Sequence, residues 1–494
     1  MYASRFLLVS LNIDAILHES TLYGRREKLN EMTHGSNLRD VYGATIERIK
    51  AQDGDKSRLG MAALMWISHA ERPLQAGELC HALAVRLGST DFNTDNVPSI
   101  STLVGCCQGL ITVDKGASTV RLIHFTLQEY LSSHLDIFNR PHSAMAEICL
   151  TYLNSQQIKA LPNVPSSDTQ STPFLGYCSI YWGVHAKREL SDCARLLALE
   201  LLKGHYNQIS TKFLLAQVKY LKFFVKGLAP LSPFGGLHCA SFFGIVEVVT
   251  GLIEMGCYDI NEGDFSGRTP LAWAAHNGDE EVVKILLGRE EVNPDKPDIE
   301  GLTPLSLASW NGHEQVVGIL LGREEVNPDK PGNYGRTPLS YAASDGHDGV
   351  VKMLLGRNGV NPNKPNNDGR TPLSYAASDG HEGVVKILLG WEEVDPDRPD
   401  TYNQTPLLDA ARNGHEGIMK ILLGREEVNP DKPDNYGRTP LSFAASFGYE
   451  EVVKILLERE EVNLSRSDNG GQTPLLLATG GSHKRVEALL RSRG

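Results

Sequence analysis

The 494-residue sequence has no apolar run approaching the roughly 20 residues that a membrane-spanning helix needs. Its start, "MYASRFLLVSLNIDAIL", is interrupted by Asp14 and followed by no small-residue cleavage site, so it does not read as a signal peptide. There is no Gly-x-x-x-x-Gly-Lys-Ser/Thr loop to cradle a phosphate. His-Glu-x-x-His and Gly-x-Ser-x-Gly are absent too, and no Ser/His/Asp arrangement can be defended from spacing alone. No catalytic residue, cofactor or metal ligand is therefore expected. The eight cysteines all precede residue 258 and show no spacing typical of a disulfide framework or a zinc site. They read as reduced, mostly buried thiols of an intracellular, cytoplasmic protein. Cys106 and Cys107 are adjacent, but nothing basic surrounds them to favour a thiolate. Basic excess is also missing. The net charge is −12, residues 1–260 sum to zero, and residues 261–494 carry the whole deficit. An acidic half repels phosphates, which argues against nucleic-acid or anionic-membrane partners.

What is present is a period. Thr-Pro-Leu begins at Thr269, Thr303, Thr337, Thr371, Thr405, Thr439 and Thr473, each step being 34 residues. A degenerate copy, "GGLHCASFFG", precedes them with Leu237 in the Leu position, making about eight units. A fixed period of this size predicts a solenoid, because one unit cannot bury its apolar face alone. In the unit "GRTPLSYAASDGHEGVVKILLG", Thr371 suits a helix N-cap and Pro372 the first helical position. Leu373, Ala376 and Ala377 form a narrow apolar stripe, and Gly380 supplies a left-handed ending. Val384, Val385, Leu388 and Leu389 form one face of a second helix that Gly390 ends. The proline-rich "PDRPDTYNQ" stretch then reads as an extended turn into the next unit.

These units resemble the ankyrin repeat, over roughly residues 235–494. Two departures are visible. The His of the family's T-P-L-H is replaced, usually by Ser, and the segment before Val-Asn is short while the following turn is long and carries two prolines. The resemblance implies a non-enzymatic scaffold that reads a protein ligand with its turn tips and the inner edge of each first helix. The turn-tip positions hold Glu300, Tyr334, Asp368, Tyr402 and Tyr436. The helix-edge positions hold His276, Trp310 and Arg412, with Phe447 one residue further along. Tyr, Trp and Arg dominate interface energies, and Trp310 is expected to be exposed for that purpose. The last unit, with Lys484, Arg485, Arg491 and Arg493, reads as a polar end cap.

Two recurring features invite a chemical reading and do not support one. His313, His347, His381, His415 and His483 recur in register, but stacked units lie about 10 Å apart. One ion with bonds of about 2 Å could not bridge neighbours, so each histidine is expected to bond to the adjacent turn. The Glu-Glu pairs, such as Glu426-Glu427, read as solvated surface.

The first half has a different grammar. "LRDVYGATIERIKAQ", "SRLGMAALMWISHAERPL", "QAGELCHALAVRL" and "DNVPSISTLVGCCQG" read as helices. "LITVD", "KGAS" and "TVRLIHF" form a hairpin, and "TLQEYLSSHL" a closing helix with a Thr126/Glu129 capping box. This order suggests a winged helix. Such domains often bind DNA through the third helix, but residues 96–110 contain no Lys or Arg and the hairpin tip offers only Lys115. "LMWISHAERPLQAGELCHALAV", "CCQGLITVD" and "VRLIHFTLQEYL" resemble the winged-helix segment that follows the NACHT nucleoside-triphosphatase module in fungal NLR-like (STAND) signalling proteins. It is also labelled a GPI-inositol-deacylase-type winged helix, a name that implies no deacylase chemistry. "YCSIYWGVHAK" is similar to the helical bridge placed before ankyrin arrays in such proteins, and "SRFLLVSLNIDAIL" resembles the end of the NACHT module. In that superfamily a histidine at the strand-to-helix junction can sense the phosphates of bound ADP, and His124 occupies the corresponding place.

The expected fold class is mainly α: a remnant helix in residues 1–40, a winged-helix domain with a small β-hairpin in 41–153, a helical bridge in 154–234, and an ankyrin solenoid in 235–494. The expected function is non-enzymatic, with the array binding a protein ligand and the winged-helix half coupling it to signalling or self-association. Two alternatives stand beside it. One is the back half of an ATP-dependent NLR-like NTPase whose P-loop module is missing from this chain. The other is a winged-helix DNA-binding regulator.

Overall fold

The computed structural model describes residues 20–27, 38–114, 116–161, 172–203 and 234–493. Residues 1–19 and 28–37 of the expected remnant segment (1–40), the wing-tip residue Lys115, and residues 162–171 and 204–233 of the expected bridge lie outside the described residues. The chain divides into two units, Met1–Gly236 and Leu237–Gly494.

In the first unit, helices Leu38–Lys50, Gly54–His69, Ala76–Ala84 and Ile100–Cys106 precede the hairpin, and Phe125–Ser133 follows it. Three short strands, β1 (Leu74–Gln75), β2 (Ile111–Val113) and β3 (Thr119–Leu122), form an antiparallel sheet in the order β1-β3-β2. Leu74 and Val113 both pair with Val120, and Ile111 pairs with Leu122. Sequence patterning does not show β1, since two residues are too few for alternation. The wing turn is held by Asp114, whose Oδ1 accepts the N–H groups of Gly116 (2.9 Å) and Ala117 (3.1 Å). Those bonds, with Arg121 nearby, hold its carboxyl below the usual range.

The cap of helix Phe125–Ser133 differs from the expected Thr126/Glu129 box. Chain leaving β3 is still extended at His124 (φ −155°, ψ 149°), so His124 becomes the N-cap and its ring accepts the Thr126 N–H. The core of this unit is aromatic. Trp66 is fully buried and meets Phe174 and Tyr177 edge-on, with ring centroids 5.4 and 5.8 Å apart. Tyr152 packs edge-on against Phe174 at 5.3 Å. Helix Leu175–Arg188, which contains the whole of the expected bridge motif, therefore shares the core of the winged-helix unit.

The second unit is built from eight helix pairs among the described residues, from Gly236–Phe243 with Val246–Glu254 to Pro474–Gly480 with Lys484–Arg493. The seven Thr residues of Thr-Pro-Leu are all N-caps, each accepting the backbone N–H three residues on, as Thr371 does from Ser374. Gly380 ends its helix at φ +90°. Val384, Val385, Leu388 and Leu389 are buried in the second helix, which stops at Gly390 as expected. Each such side chain contributes about 1.5–3 kcal/mol when fully buried. The stripe of Leu373, Ala376 and Ala377 is buried too, and its small residues let the next first helix approach closely.

Three kinds of bond join successive units. The in-register histidines donate Nε2–H to a carbonyl at the end of the preceding first helix, as His381 does to Ser344 O at 2.8 Å and His347 to Trp310 O at 3.0 Å. The glycine just after that helix makes room for the ring. A Cβ on Gly346 (φ +77°) would lie 2.5 Å from His381 Nδ1. Second, cations reach back one unit to buried or half-buried carboxylates: Lys330–Asp295 and Lys364–Asp329 at 3.0 Å, Lys432–Asp397 at 2.9 Å and Arg466–Asp431 at 3.2 Å. Burial raises the Asp295, Asp329 and Asp397 carboxyls, and the lysines oppose it. The third kind lies in the turns.

Candidate protein-interaction surface

Most turns are fixed by one residue whose side chain accepts two backbone N–H groups, an Asx turn. In the Tyr334 turn Gly332 stands in that place, and only backbone bonds, Gly332 N–H to Arg336 O and Gly335 N–H to Gly332 O at 2.9 Å, close the loop. Asp298 accepts from Glu300 and Leu302, Asp400 from Tyr402 and Gln404, and Asp434 from Tyr436 and Arg438, at 2.8–2.9 Å. Asn366 does the same for Asp368 and Arg370. A glycine at positive φ follows the tip in most turns, and Asn403 (φ +61°) takes that place once. Neighbouring tips are then tied by one backbone bond per step. Asn333 N–H donates to Glu300 O, Asn367 to Tyr334 O, Thr401 to Asp368 O, Asn435 to Tyr402 O and Asn469 to Tyr436 O, at 2.9–3.0 Å. Side-chain amides of Asn333, Asn367, Asn435 and Asn469 add a parallel set of bonds. The tips thus form a continuous hydrogen-bonded row rather than a set of independent loops.

On this row Tyr334, Tyr402 and Tyr436 are 68%, 49% and 57% exposed. Asp368 is exposed and Glu300 half-buried. At the helix edge, Arg412 and Phe447 are exposed. Arg412 reaches Gln404 and lies 5.6 Å from the Phe443 ring, while Phe447 tilts against Tyr449. His276 is half-buried and edge-on to Trp273, and burial, with Arg268 and His313 nearby, pushes its pKa down to about 4. Trp310 departs from the expected exposure. It is half-buried, stacked on Tyr341 of the next unit at 5.2 Å and packed against the cluster of Ala272, Leu302, Leu307 and Tyr341. Tyr402 and Arg412 belong to one unit, and Tyr436 and Phe447 to the next.

One feature of the inner face is not among the sequence candidates. The Arg268 guanidinium sits 5.0 Å over Trp273, and Arg336 lies between Tyr341 (4.2 Å) and Tyr375 (4.3 Å). Arg370 covers Tyr375 at 4.6 Å, and Arg438 covers Phe443 at 4.6 Å and Tyr436 at 4.8 Å. Where the next aromatic would stand, Asp409 pairs instead with Arg370 at 3.2 Å, and burial pushes its carboxyl up to about 6. The signal was in the period: an Arg immediately before Thr, and an aromatic four residues after it. The guanidiniums stack on these rings while Arg268, Arg370 and Arg438 also pair with Asp298, Asp409 and Asp434 of the array itself.

His124, in the first unit, is half-buried, and its Nδ1 is committed to Thr126, 2.9 Å from the hydroxyl that also meets Tyr42. A concavity of about 360 Å³ lies beside it, lined by Leu38, Arg39, Tyr42, Thr126, Glu129 and Tyr130. The recurring histidines hold neighbouring units together, as expected, each spent on a backbone carbonyl. No helix among the described residues is long and apolar enough to cross a membrane.

The family profile "Ankyrin repeats (3 copies)" matches five overlapping segments, 237–330, 290–366, 322–400, 350–434 and 407–494, which together span more than half of the chain. The chain belongs to the ankyrin-repeat family. A second profile, "GPI inositol-deacylase, winged helix domain", matches residues 47–145. Among curated proteins, the ankyrin chain is 42% identical over 57 residues to Probable protein S-acyltransferase 23 of Arabidopsis thaliana, covering 12% of this chain and 11% of that protein. It is 49% identical over 51 residues to Protein phosphatase 1 regulatory subunit 12A of Mus musculus, covering 10% of this chain and 5% of that protein. The chain thus spans only a small part of the curated relatives it matches, and neither the acyltransferase name nor the deacylase label shows catalysis here. The human ASB11 ankyrin repeat domain is a similar solved structure, 28% identical with a TM-score of 0.41, covering 46% of this chain and 98% of that one. Ankyrin repeats point to protein–protein interaction, and the scaffold is typically non-enzymatic.

Proposed function

We propose that the ankyrin array binds a protein ligand along its turn-tip row and inner helix edge, and that the winged-helix unit couples this event to signalling or self-association. The observation that carries the reading is the row itself. Tyr334, Tyr402 and Tyr436 are exposed aromatics on turns pre-ordered by bonds within and between units, so little entropy is lost when a ligand docks. Asp368, Arg412 and Phe447 extend that surface, while His276, Glu300 and Trp310 contribute its half-buried margin. The setting is a reducing interior such as the cytoplasm, in keeping with eight free cysteines.

The test compares the full chain with a Tyr334→Ser/Tyr402→Ser/Tyr436→Ser variant in proximity crosslinking and pull-down. Partners captured by the wild-type chain and lost from the variant, with circular dichroism unchanged, support the reading. Capture that persists in the variant removes it. The origin in an NLR-like architecture rests on the winged-helix resemblance, and His124 would be its nucleotide-sensing position. Saturable ATP or ADP binding, abolished by His124→Ala, favours that reading. Salt-dependent duplex binding would favour the DNA regulator. Against it stands helix Ile100–Cys106, which carries no cation.

A further inference from the structure

Glu71, His142 and His185 are far apart in sequence, and the fold of the first unit draws them together. His142 stands in the first turn of helix Pro141–Asn154, His185 in the last turn of Leu175–Arg188, and Glu71 in the loop between Gly54–His69 and β1. Their ligand-type atoms all lie within 4.8 Å of one another. The two Nδ1 atoms face each other at 2.9 Å, with the rings nearly parallel at 24°. Glu71 Oε1 lies 3.9 Å from His185 Nδ1. His185 is fully buried, and Glu71 and His142 are half-buried.

The hydrogen bonds around the cluster leave these atoms available. Tyr177 Oη accepts the Glu71 N–H at 3.2 Å and stands 2.9 Å from His185 Nε2. When His185 donates Nε2–H to that oxygen, its Nδ1 keeps a lone pair aimed at His142. Only one proton fits between the two Nδ1 atoms. An outer hydrogen bond that sets the tautomer and ring orientation of a histidine is the usual companion of a metal ligand. Burial, with His142, Arg188 and His69 nearby, pushes His185 down to about 3, and burial lowers His142 and His69 as well. Arg188 forks onto the Glu71 carboxylate, while Glu189 accepts from the Ser143 N–H and Arg140. A carboxylate offers about four lone-pair positions, so Glu71 can keep Arg188 and still ligate.

We propose that Glu71, His142 and His185 form a binding site for a divalent cation of the zinc class. Two imidazole nitrogens and one carboxylate oxygen are a borderline donor set that suits zinc over magnesium or calcium. Metal–nitrogen bonds of about 2.0–2.1 Å in tetrahedral geometry place the nitrogens about 3.3 Å apart. The two rings need open by only about 0.4 Å, the ion taking the place of the shared proton, which passes to His142 Nε2 as that ring changes tautomer. Water or another ligand completes the fourth position. Bound there, the ion staples the loop leading into β1 to the pair of packed helices.

The test uses the full chain, stripped with chelator, dialysed, and titrated with Co²⁺ and Zn²⁺. The expected result is one strongly bound ion per chain, visible Co²⁺ d–d absorption that Zn²⁺ displaces, and a rise in the melting temperature of the first unit. Glu71→Gln and His142→Asn should each weaken binding about tenfold or more while keeping the metal-free circular dichroism spectrum. If no d–d absorption and no metal-dependent melting shift appear, the cluster is a proton-only network and the proposal falls. It falls equally if the two variants bind as the wild type does, since the ion then sits at other histidines.

Discussion

Replacing Gly346 with alanine isolates the contact that couples one unit to the next. Gly346 has φ +77°, so any Cβ costs about 1 kcal/mol from the left-handed backbone alone. Its Cβ would also lie 2.5 Å from His381 Nδ1 and 2.8 Å from Cε1, inside the ring's van der Waals envelope. The ring must move, and the bond from His381 to Ser344 O is lost with it, at about 1 kcal/mol. Repacking of the displaced ring adds about 1 kcal/mol more, giving about 3 kcal/mol in total. Gly359 is the control. It has φ +91° with nothing within 4 Å of a built Cβ, so Gly359→Ala should cost about 1 kcal/mol only. The measurement is urea unfolding followed by circular dichroism, with hydrogen exchange locating the loss at the junction between the two units. In a His381→Ala background, Gly346→Ala should fall to about 1 kcal/mol, a coupling of about 2 kcal/mol. Equal costs at Gly346 and Gly359, or no coupling to His381, would refute the idea that the histidine ring occupies the missing Cβ's place.

Asp409→Asn should stabilise the array at neutral pH. The folded carboxyl is raised to about 6 from an ordinary value of 3.8, so its contribution is full below pH 4 and is lost as pH rises through 6. The variant should gain about 2–3 kcal/mol above pH 7 and nothing below pH 4, read as a melting-temperature difference across pH. Lys364→Met leaves the buried Asp329 without its cation and should cost about 1 kcal/mol at pH 7, and less at pH 4. Tyr334→Ala should leave melting within about 0.5 kcal/mol of wild type and weaken ligand binding by about 2 kcal/mol. Trp310→Ala should lower stability by about 1–2 kcal/mol through the lost Tyr341 stack, whatever it does to binding.

The repeating half was largely legible in the sequence because its determinants are local. Thr before Pro makes a cap, Gly after Asp or Asn makes a left-handed stop, and Val-Val and Leu-Leu pairs at helical spacing make a buried face, within one unit and in most copies. The winged helix was legible for the same reason, down to the hairpin, though not its two-residue β1. The N-cap of the helix after β3 escaped because extended chain at His124 outcompeted a good local signal at Thr126.

Contacts between distant positions were decided elsewhere. Whether Trp310 faces solvent or a neighbour depends on Tyr341, one unit away, and the stacked ring wins because burying it removes apolar area from water. Nothing local to Glu71, His142 or His185 shows that they meet. Their meeting needs two helices packed side by side and a loop laid across their ends, held by the aromatic core around Trp66. The sequence by itself determined the units and their order, since short-range hydrogen bonding and apolar spacing suffice for that. Only the tertiary structure decided which side chains share a surface or a cluster, because that follows from packing geometry between residues the chain keeps far apart.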